Sequence, residues 1–168
     1  MEIIVRPDGT IRWLERRTLC VLGRAGIAVE KHEGDGATPA GRFALRRVLF
    51  RPDRTTPPAT VLPVNALNPS DGWCDDPADV NYNRPVTLPY AARHEKMWRE
   101  DGLYDLVVVI GHNDDPPIAG AGSVVFIHVA AMDFTPTEGC VALKLGDLRD
   151  LLAACDGKDF MRIIPEGD

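Results

Sequence analysis

Eight of the 14 prolines in this 168-residue chain fall within residues 51–89, and this stretch limits what the chain can fold into. A proline inside a helix removes a backbone hydrogen bond and clashes with the preceding turn, so no long helix fits there. Long irregular segments in small domains are commonly functional or surface excursions. We therefore expect residues 51–89 to form a partly ordered loop region that lines a site.

Short apolar runs on both sides of that stretch predict a β-rich protein. The β-branched run LVVVI (Leu106–Ile110) and the run VVFIHV (residues 124–129) are typical of buried strands. Other strand candidates are residues 3–5, 10–14, 19–22, 27–30, 43–49, 140–143 and 160–164. Apolar residues at helical spacing predict helices over residues 145–154 and 90–100. The fold class is thus α+β and β-rich, with two or three short helices, in a single domain over residues 1–168.

The charge and the N-terminal residues limit the partners and the compartment. A formal net charge of −6 argues against a nucleic-acid surface, which needs a basic patch. No segment approaches the apolar length of a membrane span, so no membrane association is expected. The N-terminal residues MEIIVRPDGTIRW resemble no signal peptide. We expect a cytoplasmic protein, or a periplasmic one if a signal has been removed; the oligomeric state is not determined by the sequence.

The four cysteines point to free thiols and to no metal. Cys20, Cys74, Cys140 and Cys155 form no CxxC pair and match no common zinc spacing. In a reducing compartment such cysteines stay reduced. Cys20 and Cys155 lie in apolar runs and are expected in the core, whereas Cys140 follows a glycine after a polar loop.

His128 and Cys140 are the candidates for chemistry. A cysteine becomes a useful nucleophile when a neighbouring imidazole takes its proton. The loop between His128 and Cys140 is long enough to fold back and bring the two together. Gly139 allows a tight turn that exposes amide groups, as an oxyanion hole requires. A histidine in an apolar strand is also typical of a hydrogen-bonded core residue, so the residues alone leave both interpretations open.

Two separated motifs resemble those of the L,D-transpeptidase (YkuD-type) catalytic domain. The first is His128 followed by Thr137-Glu138-Gly139-Cys140 and an apolar Val141. The second, GDGATPAGRF over residues 34–43, is similar to the Gly-x-x-x-TP-x-G-x-F signature of that family. The resemblance implies a mixed β-sandwich or barrel fold. It also implies a Cys140 nucleophile, a His128 base oriented by a backbone carbonyl, and oxyanion donors at Gly139 and Cys140. It implies no metal or organic cofactor.

The resemblance also implies a substrate, the peptide stem of peptidoglycan or a muropeptide, cleaved between diaminopimelate and D-alanine. Two positions depart from the family pattern: Glu138 replaces a histidine, and Ala142 replaces a basic or amide residue. Glu138 is expected to disfavour a Cys140 thiolate, unless its charge is offset, or to meet an amine of the substrate. The remaining candidates for substrate binding are Thr137, His112, Arg84 and Tyr82. A hydrogen-bonded turn at His112 and a surface loop at Tyr82 and Arg84 are the structural alternatives.

An acyl-enzyme on Cys140 can be resolved by water or by an amine. Water gives an L,D-carboxypeptidase, which fits muropeptide recycling in the cytoplasm, whereas an amine gives a cross-linking L,D-transpeptidase. We expect hydrolysis because of the predicted compartment. A non-catalytic muropeptide-binding module is the alternative of another class, encouraged by Glu138 and Ala142.

Overall fold

The computed structural model describes residues 1–167; Asp168, the last residue of the predicted domain, lies outside the described residues. The described chain contains one helix, α1 (Leu145–Ala153), and 14 strands. The strands are β1 (Glu2–Arg6), β2 (Thr10–Trp13), β3 (Arg16–Leu19), β4 (Ile27–Ala28), β5 (Thr38–Pro39), β6 (Gly41–Phe50), β7 (Val64–Ala66), β8 (Asp71–Cys74), β9 (Pro85–Thr87), β10 (His94–Lys96), β11 (Leu106–Ile110), β12 (Phe126–Val129), β13 (Val141–Leu143) and β14 (Phe160–Ile163). The β-rich fold class is confirmed, with one helix in residues 1–167 instead of two or three.

Nine strands form one sheet whose two ends approach each other. The order is β13-β12-β11-β6-β14-β1-β2-β3, with β7 paired to β6. Beyond β3, Val21 exchanges both backbone hydrogen bonds with Ala142 of β13, at 2.8 and 2.9 Å. The amide of Thr137 also donates to the carbonyl of Leu22, at 3.0 Å. These contacts close the sheet into a barrel-like shape and bring the segment before β13 against the segment after β3.

Strand β11 lies inside the sheet and divides the core into two clusters. Because side chains alternate along a strand, Leu106, Val108 and Ile110 face one cluster while Val107 and Val109 face the other. The first cluster includes the apolar stripe of α1 and the thiols of Cys20 and Cys155, which confirms their predicted place in the core. The second and smaller cluster contains Cys140.

Residues 51–89 are partly ordered, as expected: β7 joins the large sheet, and β8 and β9 form a small second sheet with β10. Strands β8, β9 and β10 pair in the order β10-β8-β9. The helix predicted over residues 90–100 is wrong, because residues 94–96 are strand β10, antiparallel to β8 with Glu95 opposite Trp73. Met97 and Trp73 are buried in the second cluster. Burial against that cluster therefore overrides the local helical spacing.

No helix in residues 1–167 combines the length and the apolar character that crossing a bilayer requires.

The first cluster should carry much of the stability. Leu148 on α1 is fully buried, whereas Leu19 on β3 is 60% exposed. We expect Leu148→Ala to lower the free energy of unfolding by about 2–5 kcal/mol, because it removes buried methyl groups and leaves a cavity. Leu19→Ala, the same change at the surface, should stay within about 0.5 kcal/mol of the parent. Urea denaturation of both variants checks this, and equal losses would contradict the described core.

Candidate active site

One cleft of about 770 Å³ receives side chains from β12 and β13 at one end of the large sheet, from β10 of the small sheet and from the loops over residues 31–34 and 131–138. His128, Cys140, Thr137 and Glu138 line it, so it collects four of the residues predicted from the sequence. Gly139, the residue before Cys140, is not among the lining residues.

His128 stands on β12 with its ring turned away from the first cluster. It is 5% exposed, pairs with Val107 of β11 and Ala142 of β13, and packs edge-on against Tyr104 at 5.4 Å between ring centroids. Its Nδ1 lies 2.8 Å from the carbonyl oxygen of Val129. Since a carbonyl only accepts, Nδ1 carries the proton and Nε2 keeps its lone pair. This backbone carbonyl is the kind of orienter that the resemblance implied.

Burial keeps the His128 imidazole neutral. Desolvation lowers the pKa of His128 below its ordinary value; the hydrogen bond to Val129 opposes this shift and the charge of Arg99 adds to it. An imidazole that is neutral at neutral pH can act as a proton acceptor. The electrostatics of the site thus favour a base at this position.

Cys140 lies at the floor of the cleft and is 7% exposed. Its Sγ donates to the carbonyl of Val124 at 3.1 Å and accepts the amide of Phe126 at 3.3 Å. Burial raises the pKa of the thiol to about 12; the Phe126 amide lowers it and the charge of Glu95 raises it. The resting group is therefore a neutral thiol, which must lose its proton during the reaction to become a nucleophile.

The two sequence motifs meet at the backbone of Cys140. The Thr137 hydroxyl donates to the Cys140 carbonyl at 2.7 Å, and the Thr38 hydroxyl approaches the same oxygen at 3.5 Å. Thr38 is fully buried and belongs to the TP step of the upstream motif. A Cβ on Gly139 would lie 2.8 Å from the carbonyl oxygen of Ala37, so only glycine fits there. The upstream motif thus forms the wall against which residues 137–140, the nucleophile loop, are held.

The Gly139 amide is not free to serve as an oxyanion donor. It donates to the Thr137 hydroxyl at 3.1 Å, which differs from the role that the resemblance implied. Thr137 therefore acts on the nucleophile loop from both sides, since the same hydroxyl binds the Cys140 carbonyl. These two hydrogen bonds of the Thr137 hydroxyl orient Cys140.

Glu138 lies at the rim of the cleft with its charge offset. Its carboxylate is 79% exposed and accepts from Arg24 Nε at 3.0 Å. The carboxylate that raises the pKa of Cys140 is Glu95, on β10. The electrostatic rise in the thiol pKa that was expected from Glu138 is thus caused by Glu95. Ala142, the second departure, lines the cleft and is buried beside His128.

The other predicted binding residues are placed outside the cleft lining. Tyr82 is 4% exposed; its hydroxyl donates to Glu33 and accepts the amide of Gly122 at 3.0 Å. The ring of His112 contacts Phe43, and its Nε2 lies 3.2 Å from the carbonyl of Ala121. Arg84 is exposed beside β9. Tyr82 supports the cleft residue Glu33 through this hydrogen bond, and a substrate-binding role for Tyr82, His112 and Arg84 stays a prediction.

The cleft also contains charged and polar residues that the sequence did not point to. Glu95, Arg99 and Tyr104 line it close to His128 and Cys140, joined by Lys31 and Arg93. The wrong prediction of a helix over residues 90–100 gave no indication that Glu95 and Arg99 face the cleft. In a strand, Glu95 faces the opposite side from His94 and Lys96. Only the pairing with β8 shows which of the two faces is buried.

The arrangement suits acyl transfer by a thiol with a neutral imidazole as base. Among residues 1–167 no three His, Cys, Asp or Glu side chains are grouped so as to hold a metal ion. The chemistry available from the described side chains is nucleophilic and acid–base chemistry at Cys140 and His128.

The chain is similar to known proteins, both in sequence family and in solved structures. The chain matches the family described as YkuD, L,D-transpeptidase catalytic domain, over residues 2–163. Two solved structures of the helical cell shape determining protein Pgp2 from Campylobacter jejuni are similar to it, each with 16% identity. The first has a TM-score of 0.47 and aligns 99% of this chain with 48% of Pgp2. The second, a point mutant, has a TM-score of 0.46 and aligns 99% with 47%. The chain thus spans about half the length of these structures. No curated protein matches the chain.

The contact between the two motifs makes Gly139 sensitive to a single methyl group. We expect Gly139→Ala to lower the free energy of unfolding by about 1–3 kcal/mol, because the new Cβ would collide with the Ala37 carbonyl at φ +141°. Gly146→Ala, where nothing lies within 4 Å of the new Cβ, should instead raise it by about 0.5–1 kcal/mol inside α1. Urea denaturation measures both. A Gly139→Ala variant as stable as the parent would contradict the described loop contact.

Proposed function

Because this chain belongs to the family of L,D-transpeptidase catalytic domains, we propose that it is a cysteine-dependent acyl-transfer enzyme acting on peptidoglycan stem peptides. The observation that carries the proposal is the shared cleft of Cys140 and His128, in which the base keeps a free Nε2. The bond cleaved in this proposal joins diaminopimelate to D-alanine. The family assignment supports the reaction class, and the cleft supports the residues.

The proposed reaction begins with proton transfer from Cys140 Sγ to His128 Nε2. The sulfur attacks the carbonyl carbon of the scissile bond, and a tetrahedral intermediate with a negative oxygen forms. The Cys140 amide takes the oxyanion role, since the Gly139 amide already donates to Thr137. Protonated His128 then gives the proton to the departing amine of D-alanine, which leaves a thioester on Cys140.

Water is the acceptor in our proposal, so that the product is a shortened stem peptide and the enzyme an L,D-carboxypeptidase of muropeptide recycling. Water requires no second peptide-binding surface, whereas an amine acceptor must be held on the far side of the thioester. A cytoplasmic location is part of the same proposal. Four free cysteines fit a reducing compartment, and fractionation of cells that express the protein tests the location.

The pH dependence of the reaction should report the His128 base. Only the neutral imidazole can take the Cys140 proton, and burial lowers the pKa of His128 from 6.5. We therefore expect kcat/KM to rise with pH through a pKa below 6.5 and then to stay level around neutrality, where the thiol is still protonated. His128→Ala should lower kcat by about 100- to 10,000-fold. A rising limb centred well above 7 would instead point to thiol ionisation as the controlling step.

Mass spectrometry of a diaminopimelate-containing tetrapeptide incubated with the protein tests the function itself. We expect loss of one alanine, abolished in Cys140→Ala because the nucleophile is gone. Cys155→Ala, which removes a buried thiol from the first cluster, should retain the reaction and serves as the matched control.

The other products decide between the alternatives. Dimeric or amine-exchanged peptide would identify an L,D-transpeptidase. Binding of the peptide without any product would favour the muropeptide-binding module and overturn the catalytic proposal.

A further inference from the structure

Glu95 is a half-buried carboxylate of the cleft, and its two oxygens have different surroundings. It projects from β10 opposite Trp73 and its side chain is 26% exposed. The Tyr104 hydroxyl donates to Oε1 at 2.5 Å, and Arg99 Nη1 donates to the same oxygen at 3.1 Å. Within residues 1–167 no donor reaches Oε2. Oε2 is also not sealed from solvent, since the unpaired buried side-chain atoms of the described chain do not include it.

The cationic side chains around Glu95 are already engaged by other partners. Arg99 directs Nε and Nη2 to the Asp101 carboxylate, with Nη2 at 2.5 Å. Lys31 is bound by Asp35 and by the His32 carbonyl. Arg93 donates to Asp75. The cleft therefore offers an incoming ligand an open acceptor on Glu95, while its cations are neutralised by neighbouring carboxylates.

The environment of Glu95 favours a cationic partner. Burial raises the pKa of this carboxyl group, and the Tyr104 hydroxyl and Arg99 oppose that shift. Burial removes part of the hydration of such a carboxylate. An ammonium group that binds the unpaired oxygen replaces the lost hydrogen bonds to water and so stabilises the charged form. Glu95 lines the same cleft as Cys140 and His128, and its charge also acts on the Cys140 thiol.

We infer that Glu95 is a specificity-determining residue that binds an ammonium group on the side chain of the acyl-donor residue. This inference rests on the proposed function and deepens it, because it names the group that selects the stem peptide. Diaminopimelate carries such an ammonium group at the end of its side chain. Arg99 and Tyr104 hold the carboxylate in position, and Glu138, paired with Arg24 at the rim, is not its receptor.

The test compares two tetrapeptides that differ by a single amine. One carries diaminopimelate at the third position, and the other carries 2-aminopimelate, which lacks only the side-chain amine. We expect the parent enzyme to prefer the first. Glu95→Gln should lower kcat/KM on the first peptide by roughly 10- to 100-fold, as for loss of a charged hydrogen bond, and change the second little. Asp133→Asn, which removes an exposed carboxylate from the same cleft, should keep the preference.

Several results would overturn the inference. An equal fall on both peptides would assign Glu95 to the electrostatics of Cys140 or to the fold. Loss of preference in Glu138→Gln, but not in Glu95→Gln, would assign the ammonium to the rim. Thermal unfolding checks that Glu95→Gln is folded. If it is not, Glu95→Asp, which keeps the charge but shortens its reach, should show a reduced preference between the two peptides, and an unchanged one would count against the inference.

Failure of the proposed function is separable from failure of this inference. Calorimetric binding of both peptides to Cys140→Ala needs no turnover. Tighter binding of the diaminopimelate peptide, lost when Glu95→Gln is added, would support the ammonium site even if the parent enzyme cleaves neither peptide. Equal binding of both peptides, or no binding, would overturn it.

Discussion

The contact between the upstream TP loop and the nucleophile loop is the constraint on which the site depends. The Ala37 carbonyl leaves no room for a side chain at position 139, and the hydroxyls of Thr38 and Thr137 converge on the Cys140 carbonyl. A backbone held on both sides in this way fixes the direction of the Cys140 side chain. The closure of the sheet between Val21 and Ala142 brings these distant segments together.

Burial sets the protonation state of the reacting groups. The thiol of Cys140 and the imidazole of His128 are both desolvated, and desolvation penalises whichever form is charged. Both groups therefore rest neutral, unlike the preformed ion pair of an activated cysteine. In the proposed reaction, a substrate that fills the cleft adds the reacting carbonyl, and the proton transfer to Nε2 accompanies the attack.

The sequence predicted more of the fold than of the binding surface. The buried strands around Leu106–Ile110 and residues 124–129, and the helix beginning at Leu145, follow from apolar patterns that the structure confirms. The helix over residues 90–100 failed because pairing with β8 and burial of Met97 outweighed local spacing. That error hid Glu95. It also left Glu138, two residues before Cys140 in the sequence, as the candidate for binding a substrate amine, although its side chain is exposed.

Short local motifs in the sequence, namely a strand histidine, a Thr-x-Gly-Cys step and a TP loop, indicated the family and the candidate nucleophile and base. Only the tertiary structure decided which charges act on them. Glu95 approaches Cys140 from a different sheet, Tyr82 turns into the protein, and Arg84 stays on the surface. The physical reason is that a motif specifies local backbone geometry. Electrostatic and packing neighbours depend instead on how strands far apart in sequence are paired and which of their faces are buried.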